Sequence, residues 1–370
     1  MSGPFATSQR VVVKVGSSLL VDTTGRLRER WLESLARNVA ELRAEHRDVI
    51  LVSSGAIALG RSILGLPAGT LRLEEKQAAA AAGQIALAHA YQAALQDVGL
   101  GCAQLLLTLD DTEDRRRYLN ARATIETLLR LGAVPVVNEN DTVATTEIRF
   151  GDNDRLSARV AIMALADTLV LLSDVDGLYT ADPHRDPLAR HVPEVDRLSP
   201  EIEAMATGVT TAVGTGGMVS KLVAAKLATR AGCAVLIGDG RDLDPLARLR
   251  HGARFTRFAA QSSPRRARKE WIAGALAPSG VVTVDDGAAA ALRAGRSLLP
   301  AGVVDVEGNF HRGDALLVKD RSGRTLAKGL SAYDAADAQR IIGRRSEAIE
   351  AILGFRGRDE LIHRDHLVLL

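Results

Sequence analysis

Short apolar runs rich in β-branched residues alternate, up to about residue 258, with longer segments whose apolar positions recur every three or four residues. Arg10-Val11-Val12-Val13-Lys14-Val15 reads as a buried strand, and Lys14 opens the turn Lys14-x-Gly16-Ser17-Ser18. Residues 28–46 read as a helix with Trp31, Leu32, Leu35, Val39 and Leu42 on one face. Val49-Ile50-Leu51-Val52 is a second strand that runs into Ser53-Ser54-Gly55-Ala56. The pattern then predicts an alanine-rich helix over 75–98, a strand over 103–107, a helix over 121–131 and a strand over 134–137. A helix over 156–166 leads to strand Thr168–Leu172, which ends in Ser173-Asp174. Residues 214–217, Gly-Thr-Gly-Gly, open a helix over 218–231, and Val235-Leu236-Ile237 closes on Gly238-Asp239-Gly240. Strands alternating with helices predict a mostly parallel sheet covered on both faces, hence three αβα layers.

Beyond that point the texture changes. Ser262-Ser263-Pro264-Arg265-Arg266-Ala267-Arg268-Lys269 is polar and basic, and 261–277 reads as a linker between a first domain over 1–260 and a second over 278–357. The second domain shows short β-like pieces at 281–284, 303–306 and 315–319, separated by Gly and Asp turns. Residues 334–353 read as a terminal helix and 358–370 as a tail. The basic clusters Arg115-Arg116-Arg117 and 265–269 are read as a helix start and a solvated connector before nucleic-acid contacts.

Composition adds three constraints. A chain of 370 residues with 46% hydrophobic content is long enough for two cores. It contains no run of about 18 apolar residues to span a bilayer, and its start lacks a basic-then-apolar leader, so it is expected in the cytoplasm. Cys102 and Cys233 lie apart in apolar segments without metal-ligand spacing, and both are expected as buried thiols. The net charge of +2 says little, but of 47 basic residues only seven are Lys. A chain that so prefers Arg and still keeps Lys at chosen places points to a compact ammonium there.

The chemistry gathers at the carboxyl ends of the strands, where ligands bind in open α/β sheets. Asn138-Glu139-Asn140-Asp141 follows one strand, and Gly151-Asp152-Asn153-Asp154 precedes a helix. Glu139, Asp141, Asp152 and Asp154 repel one another unless something cationic lies between them. A metal–nucleotide or a substrate ammonium would serve, while turn chemistry with an N-cap is the plain alternative. In Gly214-Thr215-Gly216-Gly217-Met218-Val219-Ser220-Lys221, glycines admit a phosphate close to the backbone and the helix offers free N–H groups. Lys221 comes one turn later than the lysine of a Walker motif, which argues against a P-loop fold. Lys14 and Lys221 are placed to flank a phosphoryl group, with Asp154 holding both. Ser54 and Gly55 suit a substrate carboxylate, and Asp141 and Asn153 suit a substrate ammonium. One Lys–phosphate contact is worth about 4 kcal/mol at an effective dielectric near 20, so loss of either Lys is expected to be crippling.

These residues carry a resemblance. Lys14-Val15-Gly16-Ser17-Ser18, Val52 to Gly60, Asn138 to Asp141, Phe150 to Asp154, Asp174 to Tyr179 and Gly214 to Lys221 resemble, in order, the glutamate 5-kinases of the amino-acid kinase superfamily. The Asn-Glu-Asn-Asp and Gly-Asp-Asn-Asp pair is the specific part, whereas the Lys-x-Gly-Ser turn and the Gly-rich turn are shared across the superfamily. Asp285 to Ala288, Ser297 to Val303, Gly308-Asn309-Phe310 and Gly313-Asp314 resemble a PUA domain, a small β-barrel-like fold. The resemblance implies the amino-acid kinase fold, ATP with Mg²⁺, and phosphorylation of the side-chain carboxylate of L-glutamate to L-glutamyl 5-phosphate in proline biosynthesis. It implies Lys14, Lys221 and Asp154 as catalytic residues. Substrate would be held by Ser54, Gly55, Asn138, Asp141, Asp152 and Asn153. Nucleotide would be held by Lys14, Ser173, Asp174, Thr215, Gly216, Gly217, Met218, Val219, Ser220 and Lys221. It names no protein ligand for the metal. The family more often has Thr where Ser173 stands, and the hydroxyl is kept.

The resemblance also implies a homo-oligomer, a dimer or a tetramer, and a transient partner in glutamyl-phosphate reductase, with no membrane. An N-acetylated substrate lacks the ammonium that Asp141 and Asn153 suit, so free glutamate is preferred over a derivative. A main role in RNA binding through the PUA-like part is disfavoured, because the chain is only 3% aromatic.

Overall fold

Strand β1 (Arg10–Val15) is buried from Val11 to Val15, and this double-sided burial places it inside a sheet rather than at an edge. In the computed structural model, residues 3–143, 152–183, 185–206, 217–275 and 277–370 are described. The chain divides into two units, Met1–Pro264 and Arg265–Leu370. The remaining strands of the larger unit are β2 (Asp48–Val52), β3 (Cys102–Leu107), β4 (Val134–Glu139), β5 (Thr168–Ser173), β6 (Leu178–Tyr179), β7 (His191–Val192), β8 (Glu194–Val195), β9 (Ala234–Asp239) and β10 (Phe255–Phe258). Eight of them form one sheet in the order β3-β4-β2-β1-β5-β9-β10-β8, and β6 pairs with β7 apart from it. Neighbours from β3 to β9 run parallel, and β10 is antiparallel to β9.

The helices of this unit are α1 (Ser17–Leu20), α2 (Glu29–Ala44), α3 (Ala56–Ile63), α4 (Leu73–Asp97), α5 (Leu109–Glu113), α6 (Arg115–Arg130), α7 (Asp152–Met163), α8 (Pro200–Met205), α9 (Met218–Arg230) and α10 (Pro245–Arg250). Alternation along the strands sorts the core into two layers. Val12, Ile50, Val52, Val137, Leu169, Leu171, Val235 and Ile237 pack with residues of α6, α7 and α9. Val11, Val13, Val49, Leu51, Val136, Val170 and Leu236 pack with residues of α2, α4 and α10. Lys14 shares the parity of Val12 and so faces the α7–α9 layer. A one-residue slip of β1 would turn that ammonium into the largely apolar opposite layer, so the register is strongly fixed. In that register Lys14 lies level with Val52 and Leu171, and Ser173 with Asp239, which aligns the carboxyl ends.

Several boundaries differ from the sequence pattern. The helix expected from 121 starts at Arg115, because the Asp114 side chain accepts from the Arg117 N–H and draws the basic cluster into the first turn. Strand β10 is absent from the pattern, since Phe-Thr-Arg-Phe is short and its partner β9 precedes it antiparallel. Cys233 is buried as expected, whereas Cys102 heads the edge strand β3 and is only half-buried.

The smaller unit has its own core around Val282, Phe310, Leu316, Val318 and Ile362. Its sheet comprises β11 (Gly280–Val284), β12 (Val303–Gly308), β13 (Ala315–Asp320), β14 (Thr325–Leu330) and β15 (Leu367–Leu369), in the order β12-β11-β13-β14-β15. Residues 261–277, expected as a linker, contain helix α11 (Pro264–Ala275), whose Ile272 and Arg268 are buried and whose basic exterior disguises it. A second helix, α12 (Asp286–Arg293), is capped by the Asp285 side chain. The expected helix over 334–353 is broken into α13 (Ala335–Ile341) and α14 (Ile349–Leu353), because Gly343 turns its N–H to the Pro300 carbonyl. The segment 358–370, expected as a tail, supplies β15 and buries Leu361, Ile362 and Leu367.

Candidate active site

The α7–α9 face of the sheet gathers two ammonium groups around one carboxylate. Asp154, in the first turn of α7, is fully buried. Its Oδ1 lies 2.7 Å from the Lys14 Nζ and its Oδ2 lies 3.4 Å from the Lys221 Nζ. The Ser220 hydroxyl donates to the same Oδ2 at 2.7 Å. Lys14 comes from the end of β1 and Lys221 from the first turn of α9, so three elements meet at one residue. Burial alone would raise the Asp154 carboxyl, but the two ammonium groups outweigh it and hold the carboxyl below the usual carboxylate range. For Lys221, burial is the larger influence and depresses its pKa despite the attraction of Asp154. Two ammonium groups share the Asp154 carboxylate, with the Asp174 carboxylate also acting on Lys221, and a pair of ammonium groups at a strand end suits a multiply charged anion.

The neighbouring residue in α7 faces the other way. Asn153 donates from Nδ2 to the Ser54 Oγ at 3.0 Å, joining α7 to the loop after β2. The Asn153 Oδ1 is buried and accepts no hydrogen bond among the described residues, so an acceptor is presented without a donor. Gly55 holds φ at +97°, a left-handed conformation that lets the loop turn directly into α3. Asn138, at the end of β4, is buried and donates to the Gln84 Oε1 of α4 at 2.6 Å. Asp141 is buried just beyond it. Helices α3 and α4 cross so closely that a Cβ on Gly83 would sit 1.8 Å from the Ala56 carbonyl oxygen, and one on Gly60 1.7 Å from that of Ala79. Tyr91, further along α4, lies beside Ser53, and burial pushes its phenol up.

The remaining candidates lie along the same edge. Ser173 ends β5 and donates to the exposed Asp174 carboxylate at 2.9 Å. Gly217 caps α9 in extended backbone and its carbonyl accepts from the Ser220 N–H at 3.1 Å. Met218 is buried in the core, so anything it offers a ligand comes from its backbone, while Val219 is half-exposed. Thr215 and Gly216 lie outside the described residues, and so does the side chain of Asp152. Among the described residues no three His, Cys, Asp or Glu side chains come together as a metal site. Asp154 sets its Oδ1 beside the Lys14 ammonium and its Oδ2 beside the Lys221 ammonium and the Ser220 hydroxyl. Gln84 and Tyr91 escaped the sequence reading, because nothing in an alanine-rich helix marks which residue reaches a strand end.

Comparison with known proteins adds to this geometry. Residues 9–239 match the Amino acid kinase family and residues 280–353 match the PUA domain. A protein named Glutamate 5-kinase from Paramagnetospirillum magneticum is 61% identical over 367 residues, covering 99% of either chain. One of the same name from Rhodospirillum rubrum is 61% identical over 359 residues, covering 97% of this chain and 96% of its own. Among solved structures, carbamate kinase from Giardia lamblia bound to AMP-PNP aligns with a TM-score of 0.50 at 18% identity. It covers 69% of this chain and 99% of its own, and the likeness is one of fold. No helix among the described residues is long and apolar enough to cross a membrane.

Proposed function

The chain belongs to the amino acid kinase family, and from that premise we propose that it transfers the γ-phosphoryl group of ATP to the side-chain carboxylate of L-glutamate. The product is L-glutamyl 5-phosphate, on the way to proline. Near-full-length relatives named Glutamate 5-kinase support the substrate, and the Lys14–Asp154–Lys221 bridge is the observation that carries the chemistry.

The mechanism follows from charge. A glutamate side chain is already ionised at neutral pH, so no general base is needed. One carboxylate oxygen attacks the γ-phosphorus, the bond from that phosphorus to the β–γ bridging oxygen breaks, and ADP leaves with the electron pair. Lys14 and Lys221 stabilise the negative charge on the transferring group and the leaving oxygen. Asp154 positions both ammonium groups and takes no proton, consistent with a carboxyl held below its usual range. Ser54 and Gly55 bind the substrate carboxylate, while Asn153, Asp141 and Asn138 bind its ammonium, with Asp152 assisting. Ser173, Asp174 and residues 215–221 bind the nucleotide. Mg²⁺ enters with ATP, carried on the phosphate oxygens and screening their charge.

The expected kinase domain, 1–260, falls within the unit Met1–Pro264, and the expected PUA domain, 278–357, falls within the unit Arg265–Leu370. Resemblance to the family supports a cytoplasmic homo-oligomer that passes its labile acyl phosphate to a reductase. The reaction is tested by ADP release from ATP–Mg²⁺ with and without L-glutamate, adding hydroxylamine to trap an acyl phosphate. Glutamate-dependent turnover with hydroxamate is the expected result. Turnover with N-acetylglutamate or aspartate in place of glutamate would overturn the substrate, and none with any of the three would overturn the reaction.

A further inference from the structure

The geometry points to Gln84 as a positioning residue that holds the Asn138 carboxamide in place at the substrate site. The inference rests on the reading of Asn138 as a ligand of the glutamate ammonium. A carboxamide has two ends of opposite character, an acceptor oxygen and a donor NH₂ group, which differ little in shape. An ammonium-binding Asn must present its oxygen, because its NH₂ would face a group that only donates. A cradle of backbone alone does not choose between the two. Here Asn138 sits at the strand end with its Nδ2 given to the Gln84 Oε1 at 2.6 Å, and its oxygen is therefore the end left for a ligand. The partner is a glutamine, whose own NH₂ group is turned away from Asn138 by the same bond.

Gln84 is placed by backbone rather than by its own side chain. It follows Gly83, the residue at which α4 meets α3 with no room for a Cβ. The same contact presses on Ala56, the first residue of α3 and the next one after the Ser54-Gly55 loop. One helix crossing thus fixes the substrate loop from β2 and the orientation of the Asn from β4. Helix α4 is long and alanine-rich, with Ala79, Ala80 and Gly83 buried, which allows this approach. Gln84 is half-buried and lies within this helix, so replacing it by Ala favours the helix and does not threaten folding.

Three enzymes test this: wild type, Gln84→Ala and Gln84→Glu, with KM measured separately for L-glutamate and for ATP. Glutamate-dependent turnover by the wild type establishes the underlying reading, and its absence would reject that reading before Gln84 is considered. Loss of one orienting hydrogen bond is expected to raise the glutamate KM about tenfold in Gln84→Ala, with the ATP KM unchanged. Gln84→Glu keeps an oxygen to accept from Asn138 and is expected to restore a glutamate KM close to that of the wild type. A glutamate KM in Gln84→Ala indistinguishable from wild type would overturn the inference. So would a parallel rise in both KM values, or a Gln84→Glu enzyme as impaired as Gln84→Ala.

Discussion

Three of the seven lysines are buried, and the two units use theirs in opposite ways. In the larger unit Lys14 and Lys221 are set against Asp154, two positive charges on one negative. In the smaller unit Lys328 of β14 donates to the Ala273 carbonyl at 3.0 Å, in the last turn of α11. That carbonyl stands at the negative end of a helix, where a cation is favoured and no counter-charge is required. The first arrangement places two ammonium groups at a strand end, where an anionic ligand is favoured. The second is complete as it stands and ties a helix to a sheet. Burial of a lysine is therefore no sign of chemistry by itself; the partner decides.

The sharpest way to break this contrast is to remove the shared carboxylate. Asp154→Asn leaves two buried ammonium groups facing each other and should lower stability by about 3–5 kcal/mol, read by urea unfolding of the full chain. It should abolish turnover as well. A variant as stable as wild type would mean that the ammonium groups do not depend on Asp154.

Removing either ammonium is next. Lys14→Met and Lys221→Met should each lower kcat about 10²–10³-fold, with a smaller effect on the KM for glutamate. Steady-state rates near wild type in either variant would remove that residue from the phosphoryl site.

The pH dependence sharpens the pairing. Because burial depresses the pKa of Lys221 below the ordinary 10.5, its charge is lost early, and the alkaline fall in kcat/KM should begin below that value. The residual activity of Lys221→Arg should show the fall displaced to higher pH. The sign for stability differs between the partners. Between the depressed Lys221 pKa and 10.5 the unfolded chain holds more protons than the folded one, so this group adds stability as pH rises through that window. Asp154 adds stability that is fully present above 3.8 and is lost as pH falls through its lower folded value. Melting temperatures across acid and alkaline series follow both, and acid melting of Asp154→Asn should lose that component.

The mildest effect belongs to the smaller unit. Lys328→Met should cost about 1–3 kcal/mol of stability and leave glutamate turnover unchanged. A large loss of turnover in that variant would show that its lysine serves the reaction after all.

How far the sequence carried the fold can be judged at single residues. The Val-rich runs and their helical partners predicted the sheet, and Lys14 could be placed on the face of Val12 by counting alone. Segment 261–277 was misread because its charge hides the buried Arg268 and Ile272 of α11. The break at Gly343 depends on a carbonyl more than forty residues away, Pro300, which no local pattern contains.

The alternation of strands and helices, the polar motifs at the strand ends and the few positions kept as Lys are all legible along the chain. Each is a local property, set by side-chain periodicity and by residue types within one turn or strand. Packing, by contrast, brings Asp154 against both Lys14 and Lys221, Asn153 to Ser54, Asn138 to Gln84 and Lys328 to a helix end. Those contacts arise from strand register and from how closely two helices cross, and such quantities join residues far apart in the chain.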